Sequence, residues 1–93
     1  MKAVIQRVKY TKLSVEGKLI SEIFGGLAVY LGVGAGDTAE KCAPMAKKIA
    51  QLRIFEDENG KMNLSVKDAG GEVLLISQFT LYGDCSHGNR PSF

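Results

Sequence analysis

The sequence predicts a small α/β domain: a mixed β-sheet with barrel-like layers, covered by at least one helix. Residues 27–33 (LAVYLGV) and 72–76 (EVLLI) are apolar runs of strand length, each preceded by paired glycines. Such runs are typical of buried strands. Between them, apolar residues recur at three- and four-residue spacing, which is typical of an amphipathic helix. Strands that alternate with a crossover helix indicate the α/β class, and 93 residues suit one domain over 1–93.

The first third of the chain is predicted to consist of strands. Residues 1–10 carry apolar side chains at both odd and even positions, which predicts a strand covered on both faces. Residues 11–15 alternate, and EGK at 16–18 predicts a hairpin turn into a returning strand. The run at 27–33 predicts a central strand.

One helix is predicted after the glycine-rich segment. DTAE at 37–40 has the spacing of a capping box with Asp37 as the capping residue. Pro44 lies past the first turn of a helix that starts there, where proline costs roughly 3 kcal/mol. We therefore expect the regular helix to begin near Ala43. It should end near Leu52, and its face toward the sheet comprises Met45, Ile49 and Leu52.

The second half is predicted to consist of strands separated by turns. Residues 53–56 (RIFE) predict a short strand and 57–60 (DENG) a turn, whereas 62–66 favour no single element. The strand that starts at position 72 is predicted to continue through 81. Strict alternation then places Ser77 and Phe79 on one face and Gln78 and Thr80 on the other.

Composition excludes several classes of protein. The chain is 45% hydrophobic and 24% charged, which excludes a wholly disordered chain. No apolar run reaches the ~18–20 residues that cross a bilayer, and residues 1–7 do not resemble a secretory leader. The net charge of +2 permits a nucleic-acid partner without indicating one. Two cysteines make no disulfide framework, so a cytoplasmic location is expected.

Three candidate sites each have a plainer alternative. GVGAG at 32–36 lies where phosphate loops occur, but its spacing matches no phosphate motif, so a simple turn is favoured. DCSH at 84–87 offers fewer ligands than a zinc site needs, so a solvated loop is favoured. A triad of Ser77, His87 and Asp84 is a minor alternative, since no elbow motif supports it.

Two further features divide evenly between a functional and a structural interpretation. Hydrogen-bonding side chains meet at the end of the apolar strand, where α/β proteins commonly bind ligands; alternatively, the strand simply reaches the surface. One face of the predicted first strand, which is otherwise apolar, carries Ala3, Ile5 and Arg7. A buried guanidinium there would need a partner, whereas an exposed one would mark the point where the strand emerges into water.

Five segments together resemble the D-aminoacyl-tRNA deacylases, also called D-tyrosyl-tRNA deacylases. They are MKAVIQRV at 1–8, LRIFED at 52–57, GKMNLS at 60–65, SQFTLY at 77–82 and RPSF at 90–93. The segments follow the order and spacing of that family over essentially all of the chain, and SQFTL is its signature.

The resemblance implies hydrolysis of the ester that joins a D-amino acid, or glycine, to the terminal adenosine of a tRNA. This reaction is a quality control of translation in the cytoplasm, and it implies no metal or organic cofactor. The family is a homodimer, in which Arg7 would orient a Gly-Pro element of the partner subunit. Thr80 as a covalent nucleophile is the less favoured mechanism, because no base is in view. The implied catalytic residues are Ser77, Gln78, Phe79 and Thr80.

The chain departs from the family in one respect. Family members are longer and carry a Gly-Pro with a cis peptide bond near the C-terminus, which excludes L side chains from the partner's site. Here Pro44 follows Ala43 and Pro91 follows Arg90, so no Gly-Pro occurs. We therefore expect a chain truncated before that motif, with little selective deacylation of its own. The alternatives are a non-catalytic module that binds the tRNA end and a self-associating interaction module with an exposed strand edge.

Overall fold

The computed structural model describes residues 1–93 and contains seven β-strands, one α-helix and two 3₁₀ turns. The 3₁₀ turns are Ala39–Lys41 and Phe79–Tyr82, and the second is called the 79–82 turn below. The strands and the helix are, in chain order, β1 (Lys2–Val8), β2 (Thr11–Val15), β3 (Lys18–Ile23), β4 (Gly26–Gly32), α1 (Cys42–Gln51), β5 (Phe55–Glu56), β6 (Met62–Leu64) and β7 (Glu72–Ser77).

A three-stranded mixed sheet with the order β1-β4-β7 forms the centre of the fold. β1 runs antiparallel to β4, and Lys2 pairs with Gly32. β4 runs parallel to β7, and Leu31 pairs with Ser77. A parallel pair needs a long crossover connection, which here contains α1, β5 and β6. The mixed sheet with a covering helix confirms the predicted α/β class.

The two remaining sheets are small. β2 and β3 form the predicted hairpin, in which Glu16 and Gly17 both have positive φ angles of 52° and 77°. Two such residues characterise a type I′ turn, whose twist matches that of the flanking strands. β5 pairs with β6. The expected barrel-like layers are absent, because the three sheets stay open and β1 and β7 form the edges of the central one.

The helix packs through Met45 and Ile49 as predicted, but its N-terminus is capped differently. Leu52, the third residue of the predicted face, is the C-cap residue that follows Gln51. Ile49 is buried together with Leu27 and Val29 of β4, and Met45 packs against this cluster. The regular helix begins at Cys42, so Pro44 lies in the first turn, where its missing N–H has no intrahelical acceptor to lose. The expected capping box is wrong, because the N-cap position belongs to Lys41 and a 3₁₀ turn precedes it.

Of the three strands in the central sheet, only β4 is covered on both faces. Leu27, Ala28 and Val29 of this strand are all buried. The predicted double coverage of β1 is wrong, since Val4 is 51% exposed while Ile5 packs against the core. β7 likewise buries Leu74 but leaves its other face open. Helix α1 covers the corresponding face of β1 and β4, and no second helix of the structure covers that face of β7.

The buried core is small for the length of the chain. Nine of 93 residues are buried. The radius of gyration is 15.4 Å, against about 12 Å for a compact domain of this length. Apolar side chains that would stabilise a larger core therefore lie on the surface. No helix of the structure has the length and apolar character needed to cross a membrane.

Candidate functional site

The candidate site lies where β7 ends and the 79–82 turn begins. Gln78 N–H donates to Leu31 O at 2.7 Å, the last bond that ties this segment to β4. The first hydrogen bond of the turn runs from Leu81 N–H to Gln78 O at 3.3 Å. The N–H groups of Phe79 and Thr80 precede that bond, so neither has an acceptor within the turn. Two adjacent backbone donors therefore stand at an exposed chain reversal.

The predicted continuation of the strand through position 81 is wrong. β7 ends at Ser77, and Gln78 has φ −144° and ψ 82° at the start of the 3₁₀ turn. Alternation of faces therefore stops at Ser77, so Phe79 and Thr80 are not placed on opposite faces by a pleated strand. The turn instead brings the side chains at positions 78 and 80 together.

The side chains of this segment make two contacts. The Gln78 side-chain amide donates to the Thr80 hydroxyl. Phe79 is 66% exposed and packs against Phe93, with ring centroids 5.3 Å apart. Ser77 is exposed at the end of β7. The segment thus presents two hydroxyls, one amide and an exposed aromatic pair to solvent.

Tyr82, which ends the turn, rests on the glycine-rich segment. A Cβ atom placed on Gly32 or on Gly34 would lie 3.1 Å from the Tyr82 ring. The ring therefore lies directly on backbone that only glycine leaves open. Lys2 Nζ lies 4.7 Å from the centroid of the Tyr82 ring, a cation–π distance.

Asp37 occupies the position that a bound anion would take in a phosphate loop. Its Oδ2 accepts the Gly34 N–H at 2.7 Å and lies 2.6 Å from the α-amino nitrogen of Met1. Lys41 Nζ lies 3.0 Å from Oδ1. These contacts hold the pKa of Asp37 well below its usual range, the Met1 amine first, then Gly34 N–H and Lys41. The segment 32–36 is therefore the predicted strand-to-helix turn. Its Gly34 N–H, which could have bound an external anion, is hydrogen-bonded to the Asp37 carboxylate instead.

The contacts of Asp37 differ from those that the sequence pattern predicts. The capping-box spacing predicts a helix cap, whereas the carboxylate binds groups at Met1 and Gly34 and accepts the Tyr82 hydroxyl at 3.4 Å. No local pattern marks the two distant contacts, because Met1 lies 36 positions before and Tyr82 45 positions after Asp37. A carboxylate directly after a glycine-rich turn was the one available signal.

A cavity of about 360 Å³ adjoins the candidate site. It lies between the glycine-rich segment and the paired phenylalanine rings. Its lining includes Gly34, Asp37, Lys41, Phe79, Tyr82 and Phe93. The cavity is thus bounded by one face of the 79–82 turn.

Arg7 is not brought together with residues 77–80. It pairs with Leu27 of β4, while Ser77 pairs with Leu31. The Arg7 guanidinium donates to Ile54 O at 2.7 Å and lines a different cavity of about 830 Å³. The residue is exposed, which agrees with a strand that emerges into water, but its guanidinium is bonded to a carbonyl.

The geometry of the 83–93 segment does not support a catalytic triad. Asp84 Oδ1 accepts the backbone N–H of Ser86 at 2.9 Å rather than a histidine N–H. Hydrogen bonds from Ser86, with the side chain as the largest cause, hold the pKa of Asp84 below its usual value. His87 and Cys85 are exposed, and no three His, Cys, Asp or Glu side chains lie close enough to hold a metal ion.

Comparison with known proteins gives consistent matches over the whole chain. Curated proteins named D-aminoacyl-tRNA deacylase are 61% identical in Thermotoga petrophila, 60% in Thermosipho africanus and 57% in Clostridium novyi. Each match covers 100% of this chain and 62% of the relative, so the chain spans under two thirds of their length. A solved structure described as "c-Myc DNA Unwinding Element Binding Protein" superposes with a TM-score of 0.89 at 46% identity. That match covers 100% of this chain and 62% of the other.

The sequence pattern of one protein family accounts for almost every position. The family described as "D-Tyr-tRNA(Tyr) deacylase" matches residues 4–93. This span includes both the 79–82 turn and the glycine-rich segment on which it rests. The chain belongs to the D-Tyr-tRNA(Tyr) deacylase family.

Proposed function

We propose that this chain carries the ester-binding half of a D-aminoacyl-tRNA deacylase site, located at residues 77–80. The observation that supports this proposal most directly is a pair of backbone donors, Phe79 N–H and Thr80 N–H. Both precede the first hydrogen bond of the 79–82 turn. Membership of the family and the names of its relatives supply the reaction class. The substrate is then the ester between a D-amino acid, or glycine, and the 3′-terminal adenosine of a tRNA.

The reaction needs little more than oxyanion donors and a positioned water. Water attacks the ester carbonyl carbon, and the carbonyl oxygen takes up negative charge, which the N–H groups of Phe79 and Thr80 stabilise. The neighbouring ribose 2′-hydroxyl of the tRNA relays a proton: it accepts one from the attacking water and passes its own to the ribose 3′-oxygen. The tetrahedral intermediate then breaks its bond to the ribose 3′-oxygen, which leaves protonated. The products are the free amino acid and the free tRNA.

Side chains at the turn orient the substrate. Ser77 and Gln78 stand on either side of the point where β7 ends, so their polar groups can hold the ester and amino ends of the substrate. The Gln78 amide donates to the Thr80 hydroxyl and fixes both side chains. An amide is not a base, so this contact supports Thr80 as an orienting group rather than a covalent nucleophile.

We further propose that the complete site forms in a cytoplasmic homodimer of the chain extended by a segment that carries the Gly-Pro element. Val73 and Leu75 are 46% and 57% exposed on one face of the edge strand β7, where a second copy would cover them. Arg7 lies too far along the sheet to act on residues 77–80 of its own chain, so it is assigned the role of orienting a Gly-Pro element of the partner. The chain itself contains no Gly-Pro, the element that would exclude L-amino acids by steric conflict.

The decisive experiment measures hydrolysis of matched D- and L-aminoacyl-tRNA. The 93-residue chain is compared with the same chain joined to the remaining C-terminal part of the Thermotoga petrophila relative. We expect D-selective turnover from the extended protein, and slow, poorly selective hydrolysis from the chain alone. An extended, folded protein that binds tRNA without hydrolysis would support the non-catalytic alternative, and one that only self-associates would support the interaction module.

A further inference from the structure

The α-amino group of Met1 makes the shortest ion pair of the structure. Its nitrogen lies 2.6 Å from Asp37 Oδ2, and the side chains of both residues are only 6% exposed. The second cation at Asp37, Lys41, is 56% exposed. A buried pair is far less screened than an exposed one, and loss of one partner leaves an uncompensated charge. The Met1 amine is therefore the principal counter-ion of Asp37.

Asp37 connects this amine to the last residue of the 79–82 turn. The Tyr82 hydroxyl donates to Asp37 Oδ2 at 3.4 Å, the same oxygen that binds the amine. Burial, followed by the charge of Asp37 and its hydrogen bond, raises the pKa of Tyr82, so its hydroxyl stays a donor at neutral pH. The ring is held at the same time against Gly34, where a Cβ would lie 3.1 Å away. The position of Tyr82 thus depends on a correctly placed Asp37.

We propose that the free α-amino group of Met1 is a positioning group for the 79–82 turn, acting through Asp37 and Tyr82. Acylation of this amine, or an extension in front of Met1, removes the counter-ion of Asp37 and loosens the turn that holds Phe79 and Thr80. The catalytic consequence rests on the proposed function, whereas the structural coupling does not. The Met1 amine is thereby assigned as a modification-sensitive group that acts on the 79–82 turn.

The test compares the 93-residue chain with a free amine and with an acetylated amine, a change that removes the charge. Amide hydrogen exchange is followed by NMR at Leu81 and Gly83, whose N–H groups donate within or just after the turn. We expect acetylation to lower protection at both amides by about tenfold or more, because a buried carboxylate loses its partner. The Leu52 amide, which donates to Lys48 O at the end of α1, should keep its protection.

Two variants separate this coupling from a general loss of stability. Tyr82→Phe removes the hydroxyl that reaches Asp37, and it should reproduce the effect of acetylation at Leu81 and Gly83. Tyr10→Phe is the matched control, since the Tyr10 hydroxyl also donates to a carboxylate, Glu22 at 2.9 Å, but in the hairpin. In an Asp37→Asn background, acetylation should have no further effect, because no buried charge remains to be neutralised.

Each possible result of these experiments either supports the proposal or overturns it. Unchanged protection at Leu81 and Gly83 after acetylation, or an equal loss at Leu52, would overturn the proposal. Additive effects of acetylation and Asp37→Asn would also overturn it. Deacylation is then measured separately on the extended protein with a free and an acetylated amine. Absence of hydrolysis in both forms would reject the proposed function and leave the exchange result standing.

Discussion

Arg7 and Ser77 lie at opposite ends of the central sheet. Their partners on β4, Leu27 and Leu31, are four positions apart, which corresponds to roughly 13 Å along the strand. The two residues also lie on the two edge strands, with β4 between them. One chain therefore does not bring the Arg7 guanidinium to residues 77–80. Any shared role of the two positions requires a second chain.

The core contact of α1 is tested by Ile49→Ala. Ile49 is 9% exposed and packs with Leu27 and Val29. We expect a loss of about 2–4 kcal/mol in the free energy of unfolding, because the cavity adds to the lost transfer energy. Urea denaturation measures it. Ile20→Ala is the control at a position 60% exposed; a loss at Ile49 below about 0.5 kcal/mol, typical of surface substitutions, would contradict the assigned helix face.

The close approach of β4 to β7 is tested by a pair of glycine substitutions. Gly25 and Gly26 have φ angles of 133° and 145°, so alanine is strained at both. A Cβ at Gly26 would also lie 1.8 Å from Glu72 O, whereas one at Gly25 meets nothing within 4 Å. We expect Gly25→Ala to cost about 1–3 kcal/mol and Gly26→Ala to cost clearly more in the same denaturation experiment. Equal losses would show that β7 moves aside without cost.

Acid should weaken the fold in part through Asp37. Its pKa is lowered in the folded chain, and the ordinary value is about 3.9. The stabilisation is therefore complete above about pH 4 and is lost as the pH falls through the folded-state pKa. Groups that face the carboxylate are the Met1 amine, Lys41 and the Tyr82 hydroxyl.

Denaturation of the parent chain and of Asp37→Asn at a series of pH values measures this contribution. The parent should keep its advantage over Asp37→Asn down to about pH 4 and lose it as the pH falls further. Glu58→Gln, which removes an exposed carboxylate in a turn, is the control. A constant difference between parent and Asp37→Asn across the acid range would contradict the role of Asp37.

The proposed mechanism predicts that Thr80→Ala leaves most of the hydrolysis in the extended protein. Loss of one neutral hydrogen bond is worth about 1 kcal/mol, so the rate should fall less than about tenfold. Replacement of the terminal ribose 2′-hydroxyl by hydrogen should reduce the rate far more. Single-turnover assays with D-aminoacyl-tRNA measure both. A trapped acyl-Thr80 intermediate, or an inactive but folded Thr80→Ala variant, would establish covalent catalysis.

Self-association of the 93-residue chain should depend on the open face of β7. Leu75 is 57% exposed at the edge of the central sheet. Leu75→Lys places a charge there, and such charges oppose pairing and apolar association. We expect light scattering with size-exclusion chromatography to show a shift toward monomer. Leu19→Lys, at a position 53% exposed in the hairpin, should leave the association unchanged.

Much of this fold follows from local sequence patterns. The hairpin turn at Glu16 and Gly17, the central strand β4 and the face of α1 around Ile49 all match the prediction. Each depends on contacts between near neighbours or on a run of apolar side chains, which the sequence displays directly. Membership of the family follows from residue identity alone.

Tertiary structure decided what the patterns left open. Alternating apolar residues did not show that β1 and β7 are edge strands, because edge position depends on the pairing of distant segments. The end of β7 at Ser77 follows from the last bond to Leu31 O and not from any local breaker. Asp37 looked like a helix cap, yet it binds the Met1 amine, because an ion pair forms wherever the folded chain brings opposite charges together, regardless of their separation in sequence.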